Sequence, residues 1–347
     1  MAEKVLARRT AVSIAFGGVD ITADIKPYFL KLTYTDDTDD LADDLKIEVQ
    51  DRDGVWVEHW LQEAVEAAAG NRLSISAMIT PENWMKAGYL KTGTFELDRV
   101  DASGPPATVT INATSLAFSG SLRQTKKSKA WESCSLRGIA SEIAAGGGMG
   151  CLYESGTNPS YDRVEQTNQS DIEFLKKLCQ DAGISIKATD GKIVLYDQAA
   201  YEAKAPVLTI EKGVKGGYTK YKLSSGSADT RYAKCRVRWM DPTTGTCIEG
   251  TAEDGDVSGE QCLEVKARVA SVGEAQTLAL KHLRLHNKLA KTVTFTLPGD
   301  VGLVAGVTIL LKGWGGWDGK YIVTRAVHTV GRDGYTTQIR ARKVLNY

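Results

Sequence analysis

The chain contains 347 residues and carries 43 lysines and arginines against 43 aspartates and glutamates. A chain of this length is expected to form two or three domains, each with its own apolar core. Because the formal charge is zero and the basic residues are scattered along the chain, neither sequence recognition of nucleic acid nor binding to an anionic membrane is expected.

No segment has the properties of an export signal or a membrane anchor. The N-terminal apolar run is interrupted by Thr10 and Ser13 in strict alternation, which is typical of a strand rather than of a secretory core. No other run approaches the roughly 18 apolar residues of a membrane span. Six cysteines occur without any Cys-x-x-Cys pair, which indicates reduced thiols rather than a zinc site or a disulfide framework. We therefore expect a soluble protein made in the cytoplasm.

The first third of the chain alternates apolar and polar residues with a period of two, which predicts strands. An apolar stripe with helical spacing runs from Val57 to Ala68, with Asp53 as its expected cap. These elements predict a compact antiparallel β domain over residues 1–115, with one helix covering a sheet edge or a barrel mouth. The predicted strands are 10–16, 29–34, 45–50, 72–79, 93–100 and 107–113.

Residues 116–205 have a different character. An apolar helical face occupies 136–143, and Ser170 with Glu173 forms a capping box that opens a second helix. A hairpin is predicted over 184–197 because Asp-Gly is a strong turn signal. The segment is interpreted as a small α+β module between two β domains.

The last part of the chain, residues 206–347, returns to strands and is interpreted as a second β domain. Ser271 and Glu274 form another capping box, which opens a helix that runs to about Asn287. The predicted strands are 232–240, 262–269, 291–298, 306–313, 320–327 and 335–344.

The two β domains share a short internal echo. "GTFELDR" (93–99) and "GKYIVTR" (319–325) both have Gly, an aromatic, an aliphatic and Arg at the same spacing, and each is followed by a turn and another strand. The shared context suggests a duplicated barrel. Two unrelated domains that share a hairpin by chance are the alternative.

An aspartate-rich segment, "LTYTDDTDDLADDLKIEVQDRDG" (32–54), is the most polar feature of the sequence. A calcium loop of the EF-hand kind requires alternating oxygen ligands followed by Gly, but Leu41 stands at the glycine position. The spacing leaves a glycosidase-like carboxylate pair open, although nothing else indicates a substrate groove. Because both flanks alternate as facing strands, we interpret Asp36 to Asp44 as an exposed connecting loop whose charges discourage unwanted pairing.

No catalytic, cofactor-binding or metal-binding residue is predicted. His282 and His286 have the spacing of a zinc-binding pair, but Leu283 stands where that motif needs Glu, and no third ligand is evident. The glycine-rich segment 146–150 follows a predicted helix, whereas a phosphate-binding loop leads into the N-terminus of one. The segment is therefore interpreted as a helix terminator. The basic run 123–129 is interpreted as a solvated loop. His59 and His328 occur singly, without the context of a nucleophile.

Several ordered blocks resemble a known family. They are the aspartate-rich segment, "GVDITADIKPY" (18–28), "GTFELDRVDASGPP" (93–106), "KSKAWES" (127–133), "SYDRVEQTNQSDIEFLKKL" (160–178) and "YEAKAP" (201–206). Together they resemble the phage late control D protein family, which forms the baseplate hub of contractile phage tails and related tail-like particles.

The resemblance implies a non-enzymatic homotrimer, mainly β, with two tail-tube-like barrels per chain joined by the α+β module. Three copies would present six barrels in a ring and adapt a six-fold tail tube to a three-fold central spike. The implied partners are the central spike, distal tail-tube, tape-measure and baseplate wedge proteins. The implied location is the tail baseplate of a virion or tail-like particle, after assembly in the cytoplasm of the bacterial host.

Two alternatives stay open: a cell-wall hydrolase carried by the baseplate, and the spike-base component of a type VI secretion apparatus. The second ranks lower because such proteins normally continue into a spike, whereas the last strand predicted here is close to Tyr347. For the same reason we expect wall hydrolysis and puncture to belong to separate proteins. We also expect loops 36–44 and 313–318, with Trp314 and Trp317, to contact neighbouring subunits or the spike.

Overall fold

The computed structural model is mainly β, with a few helices, as the sequence predicts. It describes residues 7–38, 42–60, 73–84, 88–115, 122–123, 125–226, 231–240, 242, 245–257 and 259–347. In these ranges, none of the helices combines the length and apolar character needed to cross a lipid bilayer.

The first β unit contains all six strands predicted for it. Its core is built from the inward positions of alternating strands, and Leu32, Ile47, Ile75, Phe95 and Ile111 are almost completely buried. The elements are β1 (Arg9–Phe16), β2 (Val19–Asp20), α1 (Thr22–Ile25), β3 (Phe29–Asp37), β4 (Asp44–Gln50), β5 (Ser74–Glu82), β6 (Leu90–Ser103) and β7 (Thr108–Thr114).

The helix predicted at 57–68 falls mostly outside the described residues. A π-helical turn, Trp56–Trp60, is seen at its start. The cap of this turn is Asp51 rather than the expected Asp53, because its carboxylate accepts hydrogen bonds from the backbone N–H groups of Trp56 at 2.9 Å and Val57 at 3.1 Å.

The α+β module has its own apolar core and both predicted helices. Ser170 and Glu173 make both bonds of the predicted capping box. Part of the basic run is a strand rather than a loop, since β8 begins at Lys127. The elements are β8 (Lys127–Ser135), α2 (Leu136–Gly146), β9 (Gly150–Glu154), β10 (Ser160–Gln169), α3 (Asp171–Asp181), β11 (Ser185–Thr189), β12 (Lys192–Tyr196) and α4 (Gln198–Glu202).

Residues 206–347 form two cores rather than one. The second β unit contains β13 (Leu208–Glu211), β14 (Lys220–Ser225), β18 (Lys291–Pro298), β19 (Thr308–Lys312), β20 (Gly319–Gly331) and β21 (Gly334–Lys343). The strands predicted for residues 206–347 do not include β13 or β14.

A separate small sheet lies between β14 and β18 in the chain. It contains β15 (Lys234–Met240), β16 (Cys247–Glu253) and β17 (Cys262–Lys266), and α5 (Val272–Asn287) packs on it. Ala275, Ala279 and Leu283 of α5 are fully buried with Cys235 and Val237. The predicted strands at 232–240 and 262–269 therefore belong to this sheet and not to the second β unit.

The two β units share one strand order. The first runs β1-β5-β6-β7-β4-β3 and the second β13-β19-β20-β21-β18-β14, and equivalent strands also follow in the same order along the chain. A β-bulge interrupts both hairpins at the same point of the echo, between Leu97 and Arg99 in β6 and between Val323 and Arg325 in β20. One difference is that β1 is antiparallel to β5 while β13 is parallel to β19. The shared order and bulge support duplication over a chance likeness.

The units join edge to edge. Residues 325–331 of β20 pair in antiparallel fashion with residues 31–37 of β3, which gives one continuous 13-stranded sheet in the described part of the chain.

Candidate functional site: the acidic junction

The aspartate-rich segment lies where the two β units and the α+β module meet. Asp36 and Asp37 end β3, Asp43 precedes β4, and their exposed fractions are 6%, 5% and 1%. The prediction of an exposed connection is wrong for these three residues, because the β11–β12 hairpin contacts Asp36 and Asp43, and Ala42 forms a bridge with Ala188. Asp39 and Asp40 lie outside the described residues.

Lys187 of β11 supplies the cation at this position. Its ammonium group forms an ion pair with Asp36 and lies 2.9 Å from Asp43 Oδ1, and 12% of its side chain is exposed. In the same strand, Thr189 donates its hydroxyl to Asp43 Oδ2 at 2.8 Å. We call Asp36, Asp37, Asp43 and Lys187 the acidic junction. Its bonds hold the α+β module on the first β unit.

The second β unit reaches the same carboxylates. Asp36 Oδ2 accepts a hydrogen bond from the backbone N–H of Ala305 at 2.8 Å. Arg325 Nε lies 3.5 Å from Asp37 Oδ2 across the β3–β20 pairing. Asp36 therefore contacts both other parts of the chain, and the expectation that it meets a neighbouring subunit is wrong.

In the acidic junction, burial and neighbouring charges have opposing effects on the pKa values of Asp43 and Lys187. Burial raises the pKa of the Asp43 carboxyl to about 6, against the opposing effect of Lys187. Burial lowers the pKa of the Lys187 ammonium group, but the Asp36 and Asp43 carboxylates outweigh burial and raise it above its ordinary value. Both Asp43 oxygens already accept hydrogen bonds, from Lys187, Thr189 and the Asp37 N–H group. This arrangement favours a structural role over one in proton transfer.

His328 is buried beside the acidic junction. Its ring stacks on Tyr34 across the β3–β20 pairing, with centroids 6.0 Å apart. The Nε2 atom lies 3.0 Å from the Leu303 carbonyl and the Nδ1 atom 2.8 Å from the Tyr335 hydroxyl. Because a carbonyl can only accept, Nε2 carries the proton and Nδ1 accepts from Tyr335, which is the neutral tautomer.

We expect the stability that His328 contributes to decline as the pH falls from about 6.5 to about 4. Burial lowers the pKa of His328 to about 4, whereas an unfolded histidine titrates near 6.5. The unfolded state therefore binds the proton first, and acidification through this window favours unfolding by up to about 3 kcal/mol. Urea unfolding near pH 7 and near pH 4.5 should show the advantage of the wild type over His328→Gln shrinking at the lower pH.

The exposed His286 provides the control for this experiment. The His286→Gln variant should keep the pH dependence of the wild type, whereas His328→Gln should flatten it. Asp36 and Asp300, whose charges act on His328, are present in all three proteins, so the comparison isolates the effect of the histidine. Parallel profiles for wild type and His328→Gln would contradict the assignment.

A second buried ionic cluster fixes the other end of the module. Glu202 of α4 forms ion pairs with Arg342 of β21 and with Arg284 of α5. Arg342 is 2% exposed and also donates to Gln198 Oε1 at 2.9 Å. Since these residues come from the module, the second β unit and the helix of the small sheet, the cluster joins those three parts.

The tryptophans and histidines considered as functional candidates in the sequence make contacts with other residues of the same chain. Trp314 is 6% exposed and donates its Nε1–H to the Ile210 carbonyl at 3.1 Å, so it belongs to the core and the expectation of a partner contact is wrong for it. Trp317 packs partly against the same core. His282 Nε2 lies 3.2 Å from the Asp181 carbonyl, and His286 Nδ1 lies 2.9 Å from the His282 carbonyl.

Neither cysteines nor metal ligands gather into a site in the described ranges. The six cysteines are free thiols. In the same ranges, no three His, Cys, Asp or Glu side chains lie close enough together to hold a metal ion. Gly147 and Gly148 end α2, with Gly148 at φ 71°, so the glycine-rich segment is a helix terminator as predicted.

This duplicated β architecture is found in phage tail proteins. The solved 43 kDa tail protein of prophage MuSo2 from Shewanella oneidensis has a TM-score of 0.68 against this chain, over 96% of this chain and 98% of its own, at 13% identity. An E. coli component of the type VI secretion system has a TM-score of 0.57, over 92% of this chain and 74% of its own, at 10% identity. At such identities the likeness shows the fold alone.

The sequence comparison is more specific. The family model described as phage tail baseplate hub (GPD) matches residues 108–334, so the chain belongs to the phage tail baseplate hub family. A relative in Escherichia phage 186, named a probable baseplate hub protein, is 26% identical over 185 residues, which are 53% of this chain and 44% of the relative. The chain spans about half the length of the curated relatives it matches. The resemblance inferred from the sequence blocks is confirmed.

Proposed function

We propose that this protein is a structural hub of a contractile tail baseplate and acts as a homotrimer. The observation that carries the proposal is the duplication: each chain contains two β units with one strand order, so three chains supply six equivalent units. A ring of this kind matches a six-fold tail tube on one side and a three-fold central spike on the other. The tape-measure and baseplate wedge proteins are the further partners that the family suggests.

The buried ionic clusters support a structural function. The acidic junction and the Glu202 cluster fix the two β units, the module and the small sheet to one another. If one subunit is to occupy two adjacent positions of a ring, its two β units must keep a fixed orientation relative to each other. The protein would thus act through shape and symmetry rather than through chemistry.

The test is assembly with cognate partners. The protein is co-expressed with the spike and tail-tube proteins of the same genome, and the mass of the purified complex is measured by native mass spectrometry. Three copies per spike trimer are expected, and a protein that stays monomeric with both partners present would overturn the proposal. Binding to the tail-tube protein rather than to a secreted type VI tube separates the phage hub from the type VI alternative. Cell-wall degradation by the purified protein would instead support the hydrolase alternative.

A further inference from the structure

The two strand edges that pair inside the chain, those of β3 and β20, have equivalents elsewhere in the same chain. Within one chain, β3 of the first unit pairs with the second half of β20 of the second unit. The shared strand order makes β14 the equivalent of β3 and β6 the equivalent of β20. In the described part of the chain, β14 pairs only with β18, and residues 99–103 of β6 pair only with β7. Among the described residues, both equivalents of the joined edges therefore have a strand partner on one side only.

We infer that β14 of one subunit pairs in antiparallel fashion with the second half of β6 of the next subunit. This repeats the internal β3–β20 junction between copies of the same chain. The inference rests on the proposed trimeric hub, since a head-to-tail contact of this kind closes only in a ring. In a trimer, three internal junctions would then alternate with three junctions between subunits.

The bulges define the register of this pairing. Arg99 follows the bulge in β6 and lies opposite Asn112 of β7. Arg325 follows the bulge in β20 and lies opposite Arg340 of β21, so Asn112 and Arg340 are equivalent. In the first unit, Tyr34 of β3 lies opposite the β4 residue that pairs with Ala113 of β7. In the second unit, Leu223 of β14 lies opposite the β18 residue that pairs with Ala341 of β21. Because Ala113 and Ala341 are equivalent, Tyr34 and Leu223 are equivalent as well.

The internal register then transfers directly. Inside the chain Thr33 lies opposite Thr329, and the equivalent residues in the other two strands are Lys222 and Ser103. We therefore expect Lys222 of one subunit opposite Ser103 of the next, with Leu223 opposite Ala102 and Ser224 opposite Asp101.

The exposed side chains of the two edges are compatible with this register. β14 exposes Lys220, Tyr221 and Lys222, and the second half of β6 exposes Asp101 and Ser103. In the expected register Lys222 is the diagonal neighbour of Asp101 on one face of the sheet, and opposite charges in that relation are favourable. An edge strand also presents a row of backbone N–H and C=O groups with which a strand of a second chain can pair.

Disulfide trapping tests the inferred register. Cysteines directly opposite each other in antiparallel strands are close enough to bridge. One chain carries Ser103→Cys and another carries Lys222→Cys, both in a Cys247→Ser background that removes the exposed thiol. After mixing, assembly with spike and tail-tube proteins and mild oxidation, a non-reducing gel should show a covalent dimer that needs both variants. A chain carrying both substitutions should give covalent trimers as the largest product.

The matched control moves the register by two residues. Ser103→Cys with Ser224→Cys keeps both thiols on one face of the sheet but separates them by the distance of a diagonal pair, so it should give at most background cross-linking. A native trimer in which Ser103→Cys with Lys222→Cys cross-links no better than this control would overturn the register while the proposed hub function stands. The lack of any trimer would overturn both. Covalent ladders longer than trimers would support the pairing but contradict a closed ring of three.

Discussion

Replacing Lys187 with Met is expected to destabilise the protein by about 3–5 kcal/mol. The substitution keeps much of the side-chain volume but leaves Asp36 and Asp43, which are 6% and 1% exposed, without their cation. Removing one partner of a buried ion pair is costly because the remaining charge is neither solvated nor paired. Urea unfolding near neutral pH, followed by circular dichroism and by tryptophan fluorescence, measures the loss.

The neighbouring strand offers a matched control. Lys192 in β12 is an exposed lysine of the same hairpin, and Lys192→Met should change the free energy of unfolding by no more than about 0.5 kcal/mol. Adding Asp36→Asn and Asp43→Asn to Lys187→Met should recover part of the loss, since no uncompensated charge then remains. If Lys187→Met is no more damaging than Lys192→Met, the acidic junction does not stabilise the fold.

Sequence periodicity predicted which residues form strands but not which strands pair with each other. Alternation predicted all six strands of the first β unit, and the echo at 93–99 and 319–325 led to the duplication. Alternation describes only which residues of a strand share a face. It could not show that β15 would pair in parallel with β17 in a separate sheet, because pairing depends on tertiary packing rather than on local pattern.

The acidic junction shows why the candidate site was harder to predict. In "ISIKAT" the residue Lys187 occupies a polar position of an alternating strand, which is normally solvent-facing. Its partner Asp36 is 151 residues away in the chain, so no local spacing joins the two. Acidic runs are usually exposed, and the prediction followed that rule. The exception arises because the module and the second β unit both pack against Asp36 of the first β unit.

Trp314 is a second case in which composition alone was misleading. Tryptophan is enriched at the cores of interfaces, and the loop "GWGGWD" contains two tryptophans. In the structure Phe295 packs edge-on against the Trp314 indole, with ring centroids 5.3 Å apart, so the loop folds back to cover its own β unit. Whether a tryptophan anchors a core or a partner depends on which apolar surface lies beside it, and the sequence does not contain that information locally.

The second large effect is expected for Glu202→Gln, at about 3–5 kcal/mol. The substitution is nearly isosteric, so it removes the charge without creating a cavity. Arg342, with 3% of its side chain exposed, would lose its carboxylate partner and keep the hydrogen bonds to Gln198 and to the Lys343 carbonyl. The same change removes the anion from Arg284 of α5, so the small sheet and the second β unit should both be loosened.

Glu211→Gln is the matched control, because Glu211 lies in β13 at an exposed position and its loss should be close to neutral. A double-mutant cycle with Arg342→Met then isolates the pair: the double variant should be less damaged than the sum of the two single variants, since neither buried charge is left alone. Hydrogen exchange adds a local readout, with faster exchange expected in α4 and α5 than in the first β unit. Additive single effects, or exchange changes confined to α4, would show that Glu202 does not couple the module to the second β unit and the small sheet.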